Sequence, residues 1–153
     1  MAGSSTRKRV FNFISASRNE NRTYDVITEK LPSLSLRESI NKIGYARNDT
    51  IKKWGTQLLE GLIFLNEVQR GQSKLMHSRI GTDDLYICEV TGDLKIDTKA
   101  ILIQPLLKDK DEVVQYTEED DMINFGMLLI EMLTHKQIDQ KYMSPEGIDR
   151  LLE

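Results

Sequence analysis

The chain has 153 residues, 39% of them hydrophobic and 29% charged, with a formal net charge of −3. That balance is ordinary for one globular domain and leaves no electrostatic footprint for nucleic acid. Cys88 is the sole cysteine, which excludes a disulfide framework and a zinc-binding thiol cluster; no apolar run reaches the length of a membrane span. We expect a reducing, cytoplasmic setting.

Residues 1–9 read as a basic, flexible tail ahead of a domain covering 10–153. The start is acid-poor: Arg7, Lys8, Arg9 and Arg18 precede the first acid, Glu20. This leaves open a mitochondrial presequence as the alternative to a tail running into a strand. Val10 to Ser17 and Thr23 to Leu31 are β-rich and flank the polar, turn-like Arg18-Asn19-Glu20-Asn21-Arg22, which predicts a hairpin. Pro32 breaks the second strand. A short helix follows through Ile40, capped by Ser33 or Ser35 and closed by Gly44.

Ile51, Trp54, Leu58, Leu62 and Leu65 recur every three or four residues, so Ile51 to Asn66 is an amphipathic helix. Val68 to Ser73 reads as polar loop. Asp84 to Val90 and Asp93 to Asp97 are short β-like runs joined by Thr91-Gly92, a tight-turn pair. Cys88 falls within the first run, as a small buried hydrophobe. Pro105 keeps Ile101 to Leu107 out of a central strand. Asp121 to Thr134 is apolar around nearly its whole circumference, the mark of a helix buried on every side, and Thr117 followed by Glu118, Glu119 and Asp120 starts it. Ser144-Pro145-Glu146 opens a final helix. The fold class is α+β.

This order of elements, with these residues, resembles the C-terminal lobe of eukaryotic protein kinases, and most nearly the with-no-lysine (WNK) group. Ile27-Thr28-Glu29-Lys30-Leu31 and Ser33 to Arg37 look like the hinge and the helix after it. Thr28 then takes the gatekeeper position and Glu29 the first hinge position. Ile51 to Leu65 looks like the helix before the catalytic loop, and Met76-His77 with Asp84 to Ile87 like that loop and the strand leaving it. Asp121, Phe125, Gly126, Glu131 and Met132 match the family's buried helix. The resemblance implies a truncated kinase-like fold, in which two strands and the hinge are what is left of the N-terminal lobe.

Phosphoryl transfer works by positioning and charge neutralisation, and the resemblance implies that the groups for it are replaced. The family's His-Arg-Asp-Leu-Lys, then Asn, aligns with His77-Ser78-Arg79-Ile80-Gly81, then Asp84. Arg79 stands for the general-base aspartate and cannot accept a proton. The magnesium aspartate falls on Thr98, or on Asp97 with a shift of one residue. A glycine-rich loop and strand lysine have no counterpart. In the same frame Asp121 holds the backbone at His77, both in structural roles. We therefore expect a non-enzymatic pseudokinase without cofactor or resident metal, Asp83, Asp84 and Asp97 forming a solvated acidic rim. Its function would be regulatory, through a protein partner (possibly a kinase) or a homodimer formed by residues 10 to 31, with residual nucleotide binding as the alternative.

Overall fold

A computed structural model describes residues 7–21, 23–44, 46–71, 80–97, 118–136 and 138. Strands β1 (Phe13–Arg18) and β2 (Tyr24–Thr28) form one antiparallel hairpin. Helices α1 (Leu36–Ile43) and α2 (Asn48–Gly71) follow, then a second hairpin of β3 (Leu85–Ile87) and β4 (Leu94–Ile96), then helix α3 (Glu118–Thr134). The α+β class expected from the sequence is the one observed. The final helix from Ser144 and the segment Ile101 to Leu107 lie outside the described residues.

The first strand is displaced from its expected place. Val10 and Phe11 leave the hairpin: Val10 makes a parallel bridge to Ile96, and Phe11 N–H donates to the Ile96 carbonyl at 3.0 Å. Both are buried, and the ladder with β2 starts only at Phe13, with a register shift between Phe13 and Ser15. Arg7–Arg9, expected within a flexible tail, form one 3-10 turn, and Arg9 Nε donates to Glu60 Oε2 at 2.7 Å. An ion pair reaching across to α2 holds this basic turn against the body.

Helix α1 starts where its side chains make a capping box. Ser35 Oγ accepts from Glu38 N–H, and Glu38 Oε2 accepts from Ser35 N–H at 2.8 Å. Of the two candidate caps, Ser35 is the one used. Gly44 ends the helix at φ 79°, donating its N–H to the Ile40 carbonyl at 3.1 Å; a left-handed residue of this kind favours glycine.

The stripe read from the sequence along α2 is buried throughout: Ile51, Trp54, Leu58, Leu62 and Leu65. The helix runs further than its apolar stripe, starting at Asn48 and continuing to Gly71 through part of the expected loop. Glu67, Gln69 and Arg70 are polar, but polarity alone does not stop a helix, and these are good helix formers. Two glycines let other elements close on α2. A Cβ at Gly55 would meet Leu129 of α3 at 3.1 Å, and one at Gly61 would meet Ile96 Cδ1 of β4 at 2.5 Å.

The second hairpin is shorter than expected, with residues 88–93 as its connection instead of a two-residue turn. Gly92 sits at φ 64°, and its N–H bonds to the Cys88 carbonyl at 2.8 Å. Cys88 is past the end of β3 and half-exposed, so it is not the buried strand residue expected. Hydrogen bonds from the Thr91 side chain and from the Thr91 and Val90 backbone hold its thiol below the usual range. The turn is tied to α2 by side chains. Trp54 Nε1–H donates to the Gly92 carbonyl at 3.0 Å; Gln57 donates to Asp93 Oδ1 and accepts from Leu94 N–H, both at 2.8 Å. Lys53 Nζ lies 2.9 Å from Asp93 Oδ1.

Helix α3 is not buried on every side. Met127, Leu128 and Met132 are enclosed, whereas Met122, Ile123 and Leu133 are 57%, 50% and 52% exposed. Its enclosed residues also include Asp121, Asn124 and Glu131. The helix faces the body with a mixed stripe, and some of its apolar surface faces outwards. Leu128 and Met132 complete the core with Leu36, Leu58, Ile80, Leu85, Leu94 and Ile96.

Two outcomes follow from this packing. Ile96 is fully buried, so it cannot swing aside for a methyl group at position 61; Gly61→Ala should lower stability by about 1–3 kcal/mol. Gly126→Ala, where no described atom lies within 4 Å, should raise it by about 0.5–1 kcal/mol. Urea unfolding of both variants checks the opposite signs. The second outcome concerns acid. Hydrogen bonds from Lys53, Gln57 and Thr91 hold the Asp93 carboxyl at about 2, against an ordinary 3.8. A depressed folded-state value favours the folded protein above the ordinary value, and the contribution is lost as pH falls through the depressed one. The stability gap between wild type and Asp93→Asn should therefore be widest near neutrality and should close between about pH 4 and pH 2. A gap that stays constant over that range refutes the assignment.

Candidate functional site

The loop Ile80 to Asp84 enters β3, and two helices hold it. Asn124 Nδ2–H of α3 donates to the Ile80 carbonyl at 2.9 Å. Thr82 Oγ1 donates to Glu131 Oε2 of α3 at 2.9 Å, and Arg37 N–H of α1 donates to the Thr82 carbonyl at 3.2 Å. The Arg37 guanidinium forks, placing Nε 2.8 Å from Asp83 Oδ2 and Nη2 3.5 Å from Glu131 Oε2. Glu131 Oε1 accepts from Ile138 N–H at 2.9 Å. Both oxygens of this buried carboxylate are therefore bonded, as a buried charge requires.

Within the loop, Asp84 closes a tight turn. Its Oδ2 accepts from Gly81 N–H at 2.8 Å, and its own N–H donates to the Gly81 carbonyl at 3.0 Å. Asp97 N–H donates to the Asp84 carbonyl at 2.8 Å. The structure thus brings together Gly81, Asp84 and Asp97, three of the positions read from the sequence. The acidic rim is less uniform than expected: Asp97 is 4% exposed, while Asp83 is drawn to Arg37. Among the described residues no group of three or more His, Cys, Asp or Glu is placed to hold a metal ion. His77, Ser78, Arg79 and Thr98 lie outside the described residues, and with them the His77 to Asp121 contact. Asp121 is buried and accepts from Asn66 Nδ2–H at 3.3 Å.

Glu29, expected with Thr28 at a hinge, meets the second hairpin. Thr28 Oγ1 donates to the Glu29 carbonyl at 3.0 Å, and Glu29 N–H donates to the Asn12 carbonyl at 2.9 Å. Glu29 Oε2 accepts from Asn12 Nδ2–H at 2.7 Å, and Oε1 pairs with Lys95 of β4. Partial burial raises the Glu29 carboxyl, but Lys95 and Asn12 together bring it below its ordinary value. Beside this pair, Phe11 meets Tyr86 edge-on at 5.9 Å. Burial pushes the Tyr86 hydroxyl up, helped by the charges of Asp97, Glu38, Asp84 and Asp83.

Sequence reading missed Arg37, Thr82, Asn124 and Lys95 as site residues. Asn124 left a signal, an amide inside an apolar helix, where a buried amide needs partners. Arg37 and Lys95 left none, since exposed and paired cations look alike in a sequence.

Similarity to known proteins makes this a protein kinase-related chain. No protein-family model matches it. It is similar to the Arabidopsis thaliana serine/threonine-protein kinase WNK8, 29% identical over 128 residues, covering 75% of this chain and 22% of that kinase. The Arabidopsis probable serine/threonine-protein kinase WNK4 is 29% identical over 134 residues, covering 74% and 22%. The Caenorhabditis elegans serine/threonine-protein kinase WNK is 27% identical over 138 residues, covering 82% and 7%. The chain is WNK-like and kinase-related, and it spans under a quarter of the length of these relatives. One expectation is corrected here. Replaced loop residues suggested that the chain is not an enzyme, but the relatives it matches are named as serine/threonine-protein kinases, and the exclusion does not stand. Among the described residues no helix is long and apolar enough to cross a membrane.

The Glu131 hub makes a graded prediction. Glu131→Ala removes a buried carboxylate and leaves Thr82, Arg37 and the Ile138 amide without it; the loss should be about 3 kcal/mol. Asp83→Ala removes a carboxylate whose side chain is 65% exposed and should cost under about 1 kcal/mol. Chemical denaturation checks both, and equal losses would show that Glu131 is not the hub.

Proposed function

We propose that the chain is a kinase-related interaction and regulatory module, and that it docks a protein partner, a kinase being the first candidate, or a second copy of itself through residues 10 to 31. The observation that carries this reading is the first hairpin. Every residue of β1 is exposed, and Phe13, Ile14 and Ile27 stand 45%, 62% and 54% open. Among the described residues the sheet has two strands, so β1 presents backbone donors and acceptors along its outer edge. Exposed edges of this kind are templates for pairing with another chain, and exposed apolar side chains beside them add contact surface. The single cysteine fits a cytoplasmic setting.

The test is association. Light scattering and pull-down from the source cells should show a dimer or a recovered partner. Ile14→Lys should weaken that complex by about tenfold or more while leaving the thermal midpoint unchanged, because Ile14 lies outside the core. A monodisperse monomer that recovers no partner overturns the proposal.

A further inference from the structure

The first hairpin joins the body by two legs, and the legs are tied in different ways. The first leg is fixed by backbone, through the Val10 bridge to Ile96 and the Phe11 N–H to the Ile96 carbonyl at 3.0 Å. Asn12 and the register shift between Phe13 and Ser15 follow at once, and a bulge of this kind is where a strand bends. The second leg leaves β2 at Glu29. Its amide bonds back to Asn12 within the hairpin, and the carboxylate reaches the body, through Oε1 to Lys95 Nζ.

Lys95 is built to receive it. Its ammonium lies 5.0 Å from the centroid of Phe11, over the ring, and that ring is braced edge-on by Tyr86. Phe11 is buried, so the aromatic face under the ammonium is fixed. The two side chains of the pair are 28% and 26% exposed, wet enough to open and dry enough to hold. A cation over an aromatic face, facing a carboxylate, keeps both attractions only in one arrangement of the two hairpins.

We propose that the Lys95–Glu29 pair is a latch, which sets the angle of the β1–β2 hairpin against the helical body and lets the hairpin pivot about Asn12 when it opens. Opening leaves the first leg's backbone bonds intact and the core untouched. It changes the direction in which β1 faces. The inference concerns this joint alone and stands whether or not a partner docks on the hairpin.

The experiment uses the full chain, with one spin label on the native Cys88 and a second on Ser17→Cys at the far end of β1. Distance distributions are compared for wild type, Lys95→Met, Glu29→Gln, the double variant and the conservative Lys95→Arg. Lys95→Met keeps the apolar stem over Phe11 and removes only the charge. The latch predicts a broadened or shifted distribution in Lys95→Met and in Glu29→Gln, no further change in the double variant, and a narrow one retained in Lys95→Arg, which keeps a cation over Phe11 and opposite Glu29. Amide exchange in β1 and β2 should become about fivefold faster in Lys95→Met and Glu29→Gln, with α2 and α3 unchanged. An unchanged distribution in Lys95→Met overturns the proposal. So does additivity of the two single changes, or global unfolding of both, which would make the pair a part of the core.

Discussion

A carboxylate enclosed in the body on a mostly apolar helix constrains much of what surrounds it. Glu131 brings together a hydroxyl from the loop, a guanidinium from α1 and a backbone amide beyond α3. Enclosing such a group unpaired is costly, so the three donors are obliged to converge. Their convergence fixes where α1 meets α3 and where the loop from Ile80 to Asp84 lies between them. Leu128 and Met132, beside Glu131 on α3, supply core contacts, which have no preferred direction. The carboxylate supplies direction.

A second constraint is the seam between α2 and β4. Gly61 lets Ile96 approach the helix closely, and Gln57 reads the backbone at Leu94 while holding Asp93. These are short-range contacts along one helix, so β4 cannot slide along α2 without breaking several together. β4 then carries Ile96, which anchors Phe11, and Lys95, which meets Glu29. Placement of Glu29 therefore follows from a glycine and an amide on α2.

The long helix was legible because its apolar residues recur at one period and its partners lie along one stripe. The hairpins were legible as pairs, and α1 as a helix with a cap. Strand limits were less so. Val10 and Phe11 are as β-prone as their neighbours, and only a bond to Ile96, far along the chain, takes them out of the hairpin. Helix α3 was misread in a more instructive way. Its composition suggested burial on all sides, yet Met122, Ile123 and Leu133 face outwards while Asp121, Asn124 and Glu131 are enclosed. Apolar content reports how much surface a helix would rather bury; which face meets the body was decided by where Asn124 and Glu131 find partners. The polar exceptions in that helix were the informative residues.

The two halves of the candidate site differ in how water reaches them. Loop and first hairpin are kept by different forces: the loop by enclosed hydrogen bonds to α1 and α3, the end of the hairpin at Glu29 by a partly exposed ion pair to β4. A network sealed from water has one arrangement, because every donor lost is a donor left without a partner. A pair in contact with water has alternatives, because water replaces what it loses. The body of this WNK-like chain is accordingly the rigid part. Under the proposed latch, the first hairpin, with its exposed Phe13, Ile14 and Ile27, is the part whose position a docking molecule would change at low cost. Any regulation that acts by altering shape has its physical opportunity there, at the joint between Asn12, Glu29 and Lys95.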